Sequence, residues 1–352
     1  MNRNHDHHCP CCFLPPYIEE RLALSDDPVI RRIGHGTSRA GVTARTMRMM
    51  QPSAIQGRNP RPGTSRNRTV YDMEGLDAPL PGVERRGEGQ SATGIAEVDA
   101  VFENSGITHD FYKQVLKRHS LNGAGYPLKG SVNYGFQVVG AYWTGDQVLY
   151  GAGDGVYFLS AALSLEIAAH ELTHGLIEFT SRLLYQDEPG ALNESFCDII
   201  GISVVQYHAN LPAESANWSI GGDLVGSGLG DVHGVRTFLA EKAFIDHPFL
   251  GTDPQPKHMR NYVHCSEDNG GVHTNSGIPN HAFYLAAQSI GGNVWEKATL
   301  IWYDAFTNAL NPQATFSQAA QKTEAAARRR FGDREGDAVA QAWLAVGVEP
   351  RD

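Results

Sequence analysis

The chain reads as an α+β protein of two lobes, β-rich in its N-terminal part and α-helical in its C-terminal part, and three observations predict this. Glycine-bounded segments of alternating polarity, among them "VNYGFQVVGAYW" and "QVLYGAGDGVYF", fill the stretch from Val70 to about residue 158. Beyond Ser160 the apolar residues recur at helical spacing over long runs. Ahead of both lies "GRNPRPGTSRNR", whose proline, glycine, serine and arginine offer nothing to bury and mark a boundary. With 352 residues, 41% of them hydrophobic, the chain has enough apolar mass for two lobes and a substantial core.

In chain order, residues 1 to about 68 show no sustained periodicity apart from a short helical stretch, "YIEERLALS". Residues 1–70 hold eleven arginines, no lysine and five acids, a balance of +6, against −16 for the remainder. A basic leader on an acidic body carries the charge of an intramolecular cap. A nucleic-acid arm is the weaker reading, and neither nucleic acid nor membrane is expected as a partner. No apolar run approaches the roughly 18 residues of a membrane span, and the N-terminus lacks the apolar stretch of a conventional secretory signal. The expectation is a chain that is cytoplasmic as synthesised, reaching the outside only by a non-classical route. Five cysteines, three of them at 9, 11 and 12, are an odd count that argues against a complete disulfide framework.

A helix at "GIAEVDAVFENSGITHDFYKQVLKRH" interrupts the β segments. Helices then follow at "AALSLEIAAHELTHGLIEFTSRLLY", "ALNESFCDIIGISVVQYHA", "NHAFYLAAQSI", "VWEKATLIWYDAFTNAL" and "SQAAQKTEAAARRRF". The first of these carries "HELTH". On a helix His170 and His174 lie one turn apart on the same face, about 6 Å between Cβ atoms, so both imidazoles can reach one metal ion. Glu171 is turned away by roughly 100° and can hold a metal-bound water without being a ligand. Two core histidines bonded to backbone carbonyls are the alternative. Catalytic zinc takes a third protein ligand, and the next helix offers Glu194, with Asp198 one turn on to receive the spare N–H of a ligating histidine. No histidine follows His174 at the spacing of the extended metzincin pattern.

"HELTH", "NESFCD" and "DNGGVHTNSGIPNHAFYLAA" together closely resemble the thermolysin family of zinc endopeptidases, over roughly residues 70 to 350. "FLPPYIEERL" resembles the short Pro-Pro-Tyr propeptide of the protealysin-like branch, and "DPQPKHM" is similar to that branch too. The resemblance implies a two-lobed thermolysin-like peptidase with the zinc site in the cleft between the lobes. It implies one catalytic zinc held by His170, His174 and Glu194, and Glu171 as general base. Asn193 and Asp198 would partner the histidine ligands, while Asp268 would orient His273, which with Tyr185 stabilises the oxyanion. Arg236 would bind a substrate carbonyl, and Ala141 and Trp143 lie in the strand that binds substrate backbone. Phe158, Ile167 and Val235 fall at the apolar specificity pocket, which implies cleavage before bulky apolar residues. The implied divisions are a propeptide over 1–50, its end between 45 and 70, a linker over 51–69, a β-rich lobe with the zinc helix over 70–180 and an α-helical lobe over 181–352.

Two departures stand out. Gly140 occupies the place of an asparagine that commonly precedes the Ala-aromatic-Trp segment, so a side-chain contact to substrate is lost. Glu166 matches one position of the family's double calcium site, but Val205, Ser219 and Gly222 hold others, so that site is expected to be absent. The leader is expected to act as an autoinhibitory propeptide, with Pro-Pro resisting cleavage. Cys9, Cys11 or Cys12 reaching the zinc is the sharper variant, and a tip with adventitious metal affinity is the plainer one. The peptide or protein substrate and the leader are then the partners. Against the endopeptidase stand a related zinc aminopeptidase, whose Gly-x-Met-Glu-Asn segment does not occur, and a non-catalytic zinc-stabilised interaction module, which would need neither Glu171 nor His273.

Overall fold

The computed structural model describes residues 12–49 and 66–350. The leader folds into two helices, α1 (Pro16–Ala23) and α2 (Pro28–Met49). Pro15 precedes α1 and Pro16 opens it, where a missing N–H costs nothing and the fixed φ already suits a helix. Asp27 starts α2 by accepting from the N–H groups of Val29 (2.7 Å) and Ile30 (3.2 Å). The sequence reading missed α2. Its inward residues Ile30, Ile33, Thr37, Ala40 and Ala44 follow helical spacing, but two are alanine and one is threonine, so the apolar stripe is faint. The small residues have a packing reason. A Cβ added to Gly34 would lie 2.2 Å from the backbone nitrogen of Ala23, so α1 and α2 approach closely only because that position has no side chain.

The β-rich part is one five-stranded sheet in the order β2-β1-β3-β5-β4. Its strands are β1 (Arg68–Asp72), β2 (Val83–Gly87), β3 (Leu128–Tyr134), β4 (Ala141–Trp143) and β5 (Val148–Gly151). β1, β3 and β5 run parallel, while β2 and β4 pair antiparallel at the two edges. β4 therefore presents a row of backbone groups to whatever lies beside it. Helix α3 (Ala96–Gln114) packs on the sheet and against α4 (Leu165–Glu178).

α4 joins the sheet to the helical part, in which α5 (Asp187–Ala209), α6 (Asp268–Asn275), α7 (Gly277–Ile290), α8 (Ala298–Asn308), α9 (Phe316–Phe331) and α10 (Asp333–Ala345) follow. A two-stranded ladder, β6 (Ser219–Ile220) with β7 (Arg236–Thr237), lies between α5 and α6 in the chain. The sequence reading stopped at Phe331; α10 continues after Gly332, whose φ of 97° lets the chain leave α9 and start again. This is the two-lobed α+β architecture expected, and among the described residues no helix is long and apolar enough to cross a membrane.

Two glycines set how closely α4 can be approached. A Cβ on Gly175 would meet the Trp143 indole at 2.8 Å, and one on Gly201 of α5 would sit 3.2 Å from the Glu166 carbonyl on α4. Gly34→Ala is expected to push α1 from α2 at a cost of about 1–3 kcal/mol. The check is limited proteolysis with trypsin, which should cut within residues 12–49 sooner than in wild type; equal protection would show that the close approach is not needed.

Candidate active site

α4 starts at Ser164, whose Oγ accepts from the Ile167 N–H (3.4 Å), and it is buried from Glu166 to Ile177. A helix apolar on nearly every face must be central, so the polar groups it carries are desolvated and need partners. His170 Nε2 and His174 Nε2 come to 3.2 Å of each other. Glu194 on α5 faces them both, Oε2 at 3.5 Å from His170 Nε2 and Oε1 at 3.5 Å from His174 Nε2. A tetrahedral ion with bonds near 2.0–2.1 Å needs ligand atoms about 3.3 to 3.5 Å apart, so this donor set fits zinc. Glu194 Oε2 also has no hydrogen-bond partner among the described residues, as befits an oxygen aimed at a metal.

The far sides of both imidazoles are held. His170 Nδ1 lies 2.9 Å from Asp198 Oδ1, and His174 Nδ1 lies 2.9 Å from Asn193 Oδ1. The Asn193 amide is itself oriented, donating to the Leu183 carbonyl at 3.3 Å. The His174 Nδ1–H, given to Asn193, leaves that ring's Nε2 lone pair for the ion, while His170 Nδ1 meets Asp198 as a close ion-pair contact without hydrogen-bond alignment. Cys197 Sγ lies 3.2 Å from His174 Nδ1 and forms a close cluster with the two histidines, yet on the side of the ring away from Glu194. The sequence reading passed over Cys197; its place one turn after Asn193 was the available signal.

Asp198 does more than hold His170. Arg236 on β7 donates to it twice, Nε to Oδ2 at 2.9 Å and Nη2 to Oδ1 at 2.6 Å, and Asn280 Nδ2 adds a third bond at 2.9 Å. Burial would raise the Asp198 carboxyl, but Arg236 and His170 outweigh it and hold it well below the usual range. Glu171 is the opposite case. Burial pushes it up to about 8, opposed by His170 and the Trp143 backbone and assisted by Glu194, and neither of its oxygens has a hydrogen-bond partner among the described residues. A carboxyl poised near neutrality suits a group that takes and returns a proton.

His273 Nδ1 lies 2.6 Å from Asp268 Oδ1, and the His273 N–H donates to Asp268 Oδ2 at 2.8 Å. The turn that permits this runs left-handed through Asp268, Asn269, Gly270 and Gly271, with a Cβ on Gly270 falling 2.0 Å from Asp187 Oδ1. Burial works against charging His273, but Asp268 and Glu194 prevail and raise it to about 9. Tyr185 completes the corner, its hydroxyl donating to Glu194 Oε1 and lying 3.1 Å from His273 Nε2.

The leader runs through this cleft. Phe13 N donates to the Ala141 carbonyl at 3.0 Å, Arg236 Nη1 donates to Phe13 O at 2.7 Å, and His273 Nε2 donates to Cys12 O at 2.8 Å. Val235 and the buried Phe13 ring flank Gly221, and Phe158 and Ile167 are buried in the same core. The Trp143 indole packs behind Gly175, and the Trp143 backbone lies beside Glu171. Gly140, at φ 90°, leaves room for Leu14, since an added Cβ would be 3.1 Å from Leu14 Cβ. Glu166 Oε2 accepts from the Gly221 N–H at 3.1 Å. Cys9 and Cys11 lie outside the described residues; Cys12 Sγ lies 3.5 Å from His273 Nε2 and donates to Leu14 O. The sequence offered no sign that Phe13 and Asn280 belong here, because 223 residues separate Phe13 from Arg236.

The model of the thermolysin metallopeptidase catalytic domain matches residues 66–178, and that of the thermolysin metallopeptidase alpha-helical domain matches 181–348. An extracellular metalloprotease of Pectobacterium carotovorum subsp. carotovorum is 41% identical, covering 97% of each chain. Protease PrtS of a Photorhabdus species is 38% identical over 81% of this chain and 77% of its own. The solved precursor of protealysin, a metalloproteinase from Serratia proteamaculans, superposes with a TM-score of 0.86 at 38% identity, covering 96% of this chain and 99% of that one.

Asn193→Ala is expected to weaken zinc binding about 10- to 100-fold, measured by competition with a chromophoric chelator, with the fold retained. His273, raised above the ordinary histidine range, keeps its charged contact with Asp268 fully below that range and loses it as pH rises through about 9. Asp268→Asn should therefore move the alkaline fall of kcat/KM to lower pH; an unmoved limb would remove Asp268 from that role.

Proposed function

The chain belongs to the thermolysin family and is a zinc-dependent neutral metalloendopeptidase, and on that premise we propose how its residues divide the work. The convergence of His170, His174 and Glu194, with Glu171 buried and unpartnered among them, is the observation that carries the reading. A zinc ion held there supplies a Lewis acid that polarises the scissile carbonyl and lowers the pKa of a water. Glu171 takes a proton from that water and returns it to the leaving nitrogen. His273, charged and oriented by Asp268, and Tyr185 donate to the oxygen on which negative charge develops. Ala141 accepts the N–H of the residue after the cut, Arg236 donates to that residue's carbonyl, and the pocket beside Val235 takes its side chain. Bulky apolar residues are the favoured occupants, Phe158 and Ile167 lining the deeper part.

The leader, residues 1–50 before a linker over 51–69, is an autoinhibitory propeptide of the short Pro-Pro-Tyr kind. What supports this is that Cys12 and Phe13 use the His273, Ala141 and Arg236 contacts that a substrate would need. Arg48 on α2 adds an ion pair to Glu178 at 2.7 Å and lies 6.0 Å from the centre of the Tyr185 ring. The lobes then divide at about residue 180, with zinc in the cleft between them. The double calcium site is not formed, since Val205, Ser219 and Gly222 cannot supply the carboxylates that a hard cation requires.

The expectation of a cytoplasmic chain is overturned by the 41% identical Pectobacterium relative, which is named an extracellular metalloprotease, and action outside the cell is part of this proposal. The enzyme reading also prevails over the zinc scaffold and the aminopeptidase. The test is hydrolysis of a quenched peptide with leucine or phenylalanine after the scissile bond, once the leader has been trimmed by an outside protease. Wild type should cleave it in a zinc-dependent way, and Glu171→Ala should be slower by about 10²–10⁴-fold; equal rates would remove Glu171 as the base.

A further inference from the structure

The sequence reading gave Pro-Pro the task of protecting the leader, but the structure puts those residues elsewhere. Pro15 and Pro16 begin α1, and the extended segment in the cleft is the one before them, Cys12 to Leu14. Cys12 bridges antiparallel to Tyr142 on the edge strand β4, as an added strand would. The peptide bond between Cys12 and Phe13 is then presented with its carbonyl on His273 Nε2 (2.8 Å) and its N–H on the Ala141 carbonyl (3.0 Å). The next carbonyl is held by Arg236 (2.7 Å), and the Phe13 ring is buried edge-on to His170, 5.2 Å between centroids, with the Arg236 guanidinium 4.5 Å from its centre. Each group sits where the proposed mechanism requires a substrate group to be. A slip of two residues towards α1 would bring the Pro15 nitrogen, which has no hydrogen, to the Ala141 carbonyl, so the chemistry of the chain excludes that register.

We propose that Cys12–Phe13 is a substrate bond of the chain's own active site, cut within the molecule when zinc is loaded; this rests on the endopeptidase reading above. The step balances as a hydrolysis. The water oxygen bonds to the Cys12 carbonyl carbon, Glu171 carries the water proton to the Phe13 nitrogen, and the C–N bond breaks. The products are a peptide ending in the Cys12 carboxylate and a chain beginning at Phe13. The shortened leader stays in place, because its remaining contacts do not pass through residues 1–12. Ile18, Leu22, Ile30 and Ile33 are in the main core, the Val139 N–H donates to Thr37 Oγ1 at 3.0 Å, and Arg48 pairs with Glu178. Trimming at this bond therefore precedes and is separate from loss of the whole leader.

The experiment uses the full chain, purified free of metal and then given zinc, followed by intact mass and N-terminal sequencing. The expected result is early loss of residues 1–12 and a new N-terminus at Phe13, at a first-order rate independent of protein concentration, with Glu171→Ala staying whole. An intact Cys12–Phe13 bond in a protein that still cleaves the quenched peptide after its leader is trimmed would overturn the inference and leave the endopeptidase reading standing. An intact bond together with no peptide cleavage would sink both. A second readout needs no zinc. In the metal-free Glu171→Ala protein, Cys12 should resist alkylation, and adding Phe13→Ala should raise its rate at least tenfold, while the exposed Cys265 reacts at an unchanged rate. Equal Cys12 protection in both proteins would show that Phe13 does not hold the register.

Discussion

A single buried carboxylate, Asp198, organises the cleft. It lies beside the His170 imidazole of α4, accepts two bonds from Arg236 of β7 and one from Asn280 of α7, while its own backbone belongs to α5. Burying an anion is costly unless every lone pair is used, and here the donors come from three other elements. The consequence is geometric. His170 and Arg236 are registered against one group, so neither can move without leaving a charge unpaired in the core. Arg236 is 1% exposed, and besides its two bonds to Asp198 it donates across the cleft to the Phe13 carbonyl.

Around that fixed point the cleft is read by backbone. β4 is a short edge strand, and any extended segment that lies along it finds the Ala141 carbonyl as acceptor and, across the cleft, Arg236 and His273 as donors. These contacts are made to backbone groups, and the Cys12–Phe13 segment takes them as any extended segment could. That segment is tethered, and held by two helices whose buried isoleucines and leucine belong to the main core. Gly140 is consistent with this arrangement, since the family's asparagine there would collide with Leu14.

The acid–base groups follow from the same burial. Glu171 is pushed towards neutrality because it is desolvated beside another carboxylate, and His273 is kept charged because two carboxylates outweigh its desolvation. Two ionisable groups of opposite character thus face one small volume, a proton carrier and a fixed donor, and zinc bound between the histidines and Glu194 would draw the Glu171 carboxyl down again.

The sequence by itself determined the class of fold and the metal chemistry, because both are written in local spacing. Alternation marks strands, a four-residue step puts His170 and His174 on one face, and Glu194 and Asp198 repeat that step on the next helix. The family strings carried Asn193, Asp268 and His273 by resemblance. Only the tertiary structure decided what lies in the cleft and in which register. α2 escaped notice because beyond Ile30 and Ile33 its inner face is threonine and alanine, with Gly34 at the close approach to α1, which leaves little hydrophobic signal. The sequence reading brought the leader and one of its cysteines towards the site, but the contacts of Cys12 and Phe13 were invisible because their partners His273 and Arg236 are more than two hundred residues away, and contacts across such separations are set by packing, which no local pattern records.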